Sequence, residues 1–423
     1  MREESLRRSS LWMISGQGVA MAAQLISFIF IGRALGSREY GAFVGVVALI
    51  AALTQFDSLG MEMILVRNLS RDYGSFQRTW GHALSITAAG FLLLLATAML
   101  YAHFALRPEL RPLVPWIAIT DGLFGKLIQL TARAFQGVGR LAWTARLTAL
   151  VQIGRALTAG LVFFWTRAHN VHATALLWTR VYWLATLPVA LFALLLITLK
   201  LGLPRFMRIR RADLSEGLSF SCAASSISIY NDIDKTFLVS LGQIGAAGTY
   251  SAAYRVVDAA SAPIYAVYAA AAPRFFRTGA RSIRHAGEFA RTTLAHTLPW
   301  SIVAAALLAL GAPLLPHIFG SSFAGSVTAL RWLCVLPILR ALHYAWGSAI
   351  TASASQWNRT ATQFGAAAFN LCLNALLIPR WSWRGAAAAS LLTDGALALA
   401  SFFVLRQLMR RERRELQEIV AAI

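Results

Sequence analysis

Long apolar runs separated by short polar segments occupy the chain from one end to the other. Each run has about 20 residues or more, the length that a helix needs to cross the hydrocarbon core of a bilayer. A helix satisfies its own backbone hydrogen bonds in lipid, so we interpret each run as a transmembrane helix. The pattern predicts twelve helices, at residues 11–32, 41–63, 82–104, 112–135, 147–166, 173–199, 217–241, 247–271, 294–318, 327–353, 361–379 and 385–405.

The composition agrees with an integral membrane protein and leaves no segment long and polar enough for a soluble domain. Hydrophobic residues make up 57% of the chain and charged residues 13%, about half the charged fraction of a soluble domain. The net charge is +21, but the basic residues are spread between the apolar runs, which argues against nucleic acid as a partner.

The basic residues also predict an orientation. If the predicted helices alternate in direction, most of the 39 Lys and Arg residues fall in segments on the same side of the membrane as the N-terminus. Segments rich in Lys and Arg stay in the cytoplasm. We therefore expect both termini to be cytoplasmic and the basic loops to contact anionic membrane lipids.

A weak internal repeat predicts two halves. The segments LGSREYGAF and RNLSR in the first half correspond to GAAGTYSAAY and PRFFR in the second, with equal spacing from Tyr40 to Arg67 and from Tyr250 to Arg277. Many transporters consist of two such halves around a central site. We therefore predict an all-α fold of two pseudo-symmetric six-helix bundles around a central cavity, divided into an N-terminal lobe 1–199, a basic cytoplasmic linker 200–216, a C-terminal lobe 217–406 and a charged cytoplasmic tail 407–423.

Charged residues inside the predicted helices are the main functional signal, because each costs about 3 kcal/mol on insertion scales. Asp232 and Lys235 are three positions apart on one helix and can face each other, as can Arg255 and Asp258. Such residues are either neutralising pairs that hold a lobe together or cations that line a wet cavity. The candidate cavity cations are Lys126 (associated with Asp121 on the same helix), Arg255, Arg340, Lys235 and Arg155.

Carboxylates and amides within the helices form a second set of candidates. The carboxylates could couple transport to H⁺ or Na⁺, or they could serve only as structural partners; these are Asp57, Asp258 and Asp394. The amides could line a cavity that accepts sugars, or they could form interhelical hydrogen bonds; these are Gln17, Gln24, Asn231, Asn370 and Asn374.

Motifs of catalysis and metal binding do not occur in the sequence. It contains no GxxxxGK[ST], HExxH or GxSxG motif, and its eight His and three Cys residues lack metal-ligand spacing. We expect no enzyme activity, no cofactor and no metal site. A membrane glycosyltransferase or sugar polymerase would normally need a sizeable loop, whereas the loops here are short.

Three segments resemble the polysaccharide flippases of the multidrug, oligosaccharidyl-lipid and polysaccharide exporter superfamily. They are IGRALGSREYGAF followed by FDSLGMEMILVRNLSR, then YNDIDKTFLVSLGQIGAAGTYSAAYRVVD, and finally NLCLNALLIPRWSWRGAAAASLLTD. The resemblance extends from about residue 11 to 406. The WSWR stretch at 381–384 departs from it, since relatives usually carry a glycine-bearing turn there.

The resemblance implies a multi-pass flippase of the bacterial plasma (inner) membrane. Such proteins move an oligosaccharide on undecaprenyl pyrophosphate from the inner to the outer leaflet by alternating access. The glycan would serve O-antigen, capsule or exopolysaccharide synthesis. The resemblance also implies other polysaccharide assembly proteins as partners, and transport could be coupled to H⁺ or Na⁺. The alternatives are a cation-coupled multidrug exporter of the same superfamily and a membrane sugar polymerase.

Overall fold

The computed structural model of the protein describes residues 6–207, 211–352 and 356–421. Within these ranges the secondary structure is helical throughout, with no strand. The α-helices are α1 Leu6–Asp57, α2 Met61–Arg71, α3 Phe76–Ala105, α4 Leu113–Ile117, α5 Lys126–Gly137, α6 Leu141–Ala168, α7 Ala175–Leu201, α8 Arg211–Ser240, α9 Ile244–Gly279, α10 Ile283–Gly311, α11 Leu315–Phe319, α12 Ser326–Leu333, α13 Leu336–Ala352, α14 Gln356–Trp381 and α15 Trp383–Ala421.

In the described part of the chain, nine helical segments are long and apolar enough to cross a membrane. The first of them, Ser15–Asp57, covers most of both of the first two predicted helices. It bends at Gly36, whose φ of 70° and ψ of 174° lie in a region that glycine adopts at little cost. Helices α8 and α9 are not among the nine. The number of twelve membrane-spanning helices therefore stays a prediction.

The second predicted helix, 41–63, is wrong as a single element. Helix α1 ends at Asp57 and α2 begins at Met61. Between them, Leu59 has a φ of 42° and Gly60 a φ of 65°, and left-handed backbone of this kind cannot continue a right-handed helix. As a result, Asp57 and Glu62 lie on different helices, on either side of the break.

The fourth predicted helix, 112–135, is also not regular. Its first turn is α4, its middle is a π-helical stretch at Ala118–Gly125, and its last part belongs to α5. A π-helical stretch shifts the angular position of the residues that follow it, and such stretches are frequent at functional sites. Asp121 and Lys126, which we associated in the sequence, lie within and directly after this stretch.

The chain divides into two compact units. Unit 1 comprises Met1–Ser228 and Val239–Gly248, and unit 2 comprises Ile229–Leu238 and Thr249–Ile423. Unit 1 has an apolar core that includes Phe76, Trp80 and Phe135. Unit 2 has a separate core that includes Ile264, Tyr268 and Phe275.

Two glycines of the repeated sequence segments allow close packing within unit 1. A Cβ atom on Gly41 of α1 would overlap the carbonyl oxygen of Ile244, and one on Gly248 of α9 would overlap the carbonyl oxygen of Ser37. The backbones of α1 and the start of α9 therefore approach as closely as helices with small interface residues do in membranes.

We expect Gly248→Ala to lower the free energy of unfolding by about 1–3 kcal/mol, the usual cost of overpacking. Thermal unfolding of the purified protein, followed by tryptophan fluorescence, measures the effect. Gly245→Ala is the matched control on the same helix, because a Cβ there would meet no atom within 4 Å. Equal Tm values for the two variants would show that the close approach at Gly248 does not constrain the packing.

Candidate functional site

Lys126 lies at the centre of a buried charged cluster in unit 1, the Lys126 cluster (Asp57, Glu62, Lys126). Its Nζ donates a hydrogen bond to Glu62 Oε1 at 2.6 Å and lies 3.2 Å from Asp57 Oδ1. The side chains of Lys126 and Asp57 are 4% and 0% exposed. The association of Lys126 with Asp121 is wrong, because Lys126 Nζ contacts Asp57 and Glu62, on either side of the break between α1 and α2, and Asp121 contacts Arg155.

Asp121 instead belongs to the Arg155 cluster (Asp121, Arg155, Tyr182). Its Oδ1 accepts hydrogen bonds from Arg155 Nη2 at 2.8 Å and from Tyr182 Oη at 3.0 Å. The Arg155 guanidinium also lies 4.7 Å from the centre of the Tyr182 ring, a cation–π distance. Three helical segments of unit 1 thus meet at one carboxylate.

In unit 2, α8 carries the Lys235 cluster (Asp232, Asp234, Lys235, with Tyr250 and Ser390). Lys235 Nζ donates to Asp232 Oδ1 at 2.8 Å and to the backbone oxygen of Asn231 at 2.8 Å. It also lies 3.5 Å from Asp234 Oδ1. The three-residue spacing of Asp232 and Lys235 therefore produces the pair that the sequence suggested.

Asp234 also connects three helices. Tyr250 Oη of α9 donates a hydrogen bond of 2.5 Å to Asp234 Oδ2, and Ser390 Oγ of α15 lies 3.4 Å from the same oxygen. The Tyr250 and Ser390 hydroxyls are 3.0 Å apart. Because Asp234 is 1% exposed, these contacts replace its hydration.

The Arg340 cluster (Tyr254, Asp258, Ser261, Arg340) joins α9 to α13. Arg340 donates to Asp258 Oδ1 at 2.9 Å, to Ser261 Oγ at 3.3 Å and to Tyr254 Oη at 3.0 Å. Asp258 therefore faces Arg340 here, and the side chain of Asp258 is 39% exposed whereas that of Arg340 is 3% exposed. The Tyr254 ring lies 4.3 Å from Lys235 Nζ, so it connects this cluster to the Lys235 cluster.

Four of the five candidate amides fall into two groups. Asn374 Nδ2 donates to Asn370 Oδ1 at 2.7 Å, and Asn370 Nδ2 donates to Thr393 Oγ1 of α15 at 3.0 Å, so these two buried residues link α14 to α15. Gln17 and Gln24 are exposed on α1. A role of the amides in lining a cavity stays a prediction.

Two further candidates lie near the clusters of unit 2 in sequence. Arg255 is half-buried on α9, and Asp394 is buried on α15, directly after Thr393. Their roles in binding or ion coupling also stay predictions.

The geometry shows that Lys126, Arg155, Lys235 and Arg340 each have a carboxylate as a direct partner. This arrangement favours the interpretation of neutralising pairs over that of isolated cavity cations. The sequence reasoning did not select the tyrosine hydroxyls that complete the clusters, those of Tyr182, Tyr250 and Tyr254. A signal was present for Tyr250 and Tyr254, because α9 also carries the charged candidates Arg255 and Asp258, whereas α7, which carries Tyr182, has none of the named candidates.

The comparisons with known proteins concern both sequence and fold. The model of the family described as polysaccharide biosynthesis protein matches residues 6–279. No curated protein matches the sequence.

Solved structures with the same fold belong to transporters. An inward-facing multidrug resistance MATE family transporter of the MOP superfamily has a TM-score of 0.74 at 15% identity, over 95% of this chain and 99% of that one. An outward-facing transporter of the same description has a TM-score of 0.65 at 15% identity, over 96% of each chain.

A third structure is a MOP superfamily transporter from Pyrococcus furiosus, for which reversed polarity of the binding pocket suggests a different function. It has a TM-score of 0.65 at 15% identity, over 95% of each chain. Identities this low establish the fold alone. The fold and the nine apolar helices in the described ranges identify a multi-pass membrane protein. Since the family model covers well over half of the chain, this protein belongs to the polysaccharide biosynthesis protein family.

Proposed function

We propose that the protein is a flippase that moves an oligosaccharide linked to undecaprenyl pyrophosphate from the inner to the outer leaflet of the bacterial plasma membrane. The observation that carries the proposal is the match to a polysaccharide biosynthesis family over residues 6–279 of a chain with a transporter fold. A protein of this family and fold serves polysaccharide synthesis by moving an intermediate across the membrane.

The polar groups of the clusters suit a glycan that must leave water. Sugar hydroxyls need hydrogen-bond partners during the crossing. Transfer of an unpaired polar group from water to an apolar environment costs about 2–7 kcal/mol, depending on the reference state. The partly exposed carboxylate of Asp258 and the half-buried amide of Asn231 offer such partners in unit 2.

Arg340 and Arg255 are the cations that we assign to the pyrophosphate. The Asp258 side chain is much more exposed than Arg340, so an anionic head group could replace this carboxylate as the charged hydrogen-bond partner of the guanidinium. In this assignment, the role of the other three candidate cations is to position helices; these are Lys126, Lys235 and Arg155. Outward movement of negative charge is favourable by about 2.3 kcal/mol per charge per 100 mV when the inside is negative.

A strain that lacks the gene provides the test. We expect lipid-linked oligosaccharide to accumulate in the inner leaflet and complementation by the wild-type gene to relieve this. Arg340→Gln should lower the rate of translocation by about tenfold or more, the effect of losing one charged hydrogen-bond partner, with normal protein levels. Arg340→Lys should retain part of the activity, and Arg331→Gln, an exposed residue of α12, is the control. Normal glycan export in the deletion strain would contradict the proposal.

A cation-coupled exporter is the second candidate, and one observation favours it. Lys126 and Lys235 each lie within 4 Å of two carboxylates, so each cluster has a formal excess of one negative charge. A site with this charge suits a proton, Na⁺ or a cationic substrate. In the same deletion strain, this function predicts normal glycan export with increased sensitivity to cationic drugs. For the flippase and for the exporter alike, coupling of transport to H⁺ or Na⁺ would require Asp57, Asp258 or Asp394.

A further inference from the structure

Apart from the buried clusters, unit 1 contains a basic cavity where α2 meets α3. We call it the α2–α3 cavity. Its volume is about 280 Å³, compared with the roughly 10–15 Å³ that one water molecule requires by the same kind of measure. Among the residues that line it are Arg67, Arg71, Asp72, Ser75, Arg78 and Thr79.

The charge of this lining favours an anion. The lining residues carry three guanidinium groups and one carboxylate, that of Asp72, and Asp72 Oδ1 already accepts a hydrogen bond from the backbone N–H of Gly74 at 2.8 Å. Arg71 and Arg78 are exposed and form no ion pair with any residue in the described ranges. Guanidinium groups bind phosphate oxygens in pairs with matching geometry.

The position of the cavity indicates where the anion comes from. The apolar segment Tyr73–Ala105 begins at the rim of the cavity, so the cavity lies at the level where a membrane protein meets lipid head groups. Tyr73 is 45% exposed and Met63 of α2 is 46% exposed. An exposed tyrosine is typical of the membrane–water interface. Each of these two residues is next in sequence to a residue that lines the cavity, Tyr73 to Asp72 and Met63 to Ile64.

We propose that the α2–α3 cavity binds the phosphate head group of an anionic membrane lipid. The arginines contact the phosphate, the Thr79 hydroxyl is available to it, and the exposed side chains of Met63 and Tyr73 contact the lipid tail. The lipid would hold the break between α1 and α2 at a fixed depth in the bilayer. Basic cavities between membrane helices bind lipid phosphates in this way. This site is independent of the glycan that the protein transports.

Native mass spectrometry of the full-length protein in detergent, titrated with phosphatidylglycerol, tests the proposal. We expect one tightly bound lipid on the wild type and an affinity about tenfold to thirtyfold lower for the double variant Arg71→Gln/Arg78→Gln. The double variant Arg167→Gln/Arg331→Gln removes the same charge from exposed arginines elsewhere and should bind like the wild type. Arg71→Lys/Arg78→Lys keeps the charge and should keep most of the affinity.

Three results would overturn the proposal. The first is equal affinity of the wild type and Arg71→Gln/Arg78→Gln, and the second is equal binding of phosphatidylglycerol and zwitterionic phosphatidylcholine. The third is displacement of the lipid by inorganic phosphate at millimolar concentration, which would mean that the cavity takes the free anion. If the double glutamine variant does not fold, the single variant Arg78→Gln and the lysine variant give the same comparison. No glycan is present in this experiment, so its outcome does not depend on the flippase proposal.

Discussion

Replacing Lys126 by methionine is expected to lower the free energy of unfolding by about 3–5 kcal/mol, the usual cost of removing one partner from a buried ion pair. The change leaves the carboxylates of Asp57 and Glu62 together without a cation. Asp57 is completely shielded and the Glu62 side chain is 16% exposed, so water cannot replace Lys126 at Asp57. The loss is measured by unfolding the purified variant and the wild type in detergent, either by heating or by titration with a denaturing detergent.

Removal of the negative charges of Asp57 and Glu62, the partners of Lys126, provides the control. The triple variant Lys126→Met/Asp57→Asn/Glu62→Gln carries no charge in the cluster and should recover most of the stability. The double variant Asp57→Asn/Glu62→Gln leaves Lys126 buried without a carboxylate and should be destabilised like Lys126→Met. If Lys126→Met and the wild type unfold at the same denaturant concentration, the cluster is hydrated and does not stabilise unit 1.

The corresponding change in unit 2, Lys235→Met, is expected to cost a similar amount, again about 3–5 kcal/mol. Lys235 is 2% exposed and balances Asp234, which is 1% exposed, and Asp232, which is 33% exposed. Loss of the ammonium group leaves Asp234 buried, with the Tyr250 and Ser390 hydroxyls and one backbone N–H as its remaining partners. The same denaturation experiments measure the effect.

A second substitution tells which carboxylate causes the loss. Asp234→Asn added to Lys235→Met should restore most of the stability, because Asn keeps an oxygen for the Tyr250 hydroxyl and removes the buried charge. Asp232→Asn added to Lys235→Met should restore less, since Asp232 is partly solvated. The opposite order of rescue would show that Asp232 is the residue that needs the lysine.

The comparison of these two clusters shows what the sequence can and cannot predict. The pair of Asp232 and Lys235 follows from the geometry of one helix, in which residues three apart share a face, and it is present. The partners of Lys126 lie 64 and 69 positions earlier in the chain, and no local rule connects them. The sequence therefore identified Lys126 and Asp57 as unusual but not as a pair.

The same contrast applies to the helices. Apolar runs correctly predicted that membrane helices fill the described chain, because length and hydropathy determine them. The runs could not show the break at Leu59 and Gly60 or the π-helical stretch before Lys126, since both lie within apolar sequence. Both irregularities lie next to the Lys126 cluster. The departures from regular helix thus set the directions in which its charged side chains point.

The distance along the chain between the members of the Lys126 cluster, and between Asp258 and Arg340, has a consequence for biogenesis. Asp57 and Glu62 leave the ribosome well before Lys126, and Asp258 precedes Arg340 by 82 positions. A carboxylate that enters lipid before its cation is made costs about 2.5–3.5 kcal/mol. The early helices of each unit therefore gain their full stability in the bilayer only after the later helix has been synthesised. Insertion machinery that retains the early helices until then would serve the assembly of this protein directly.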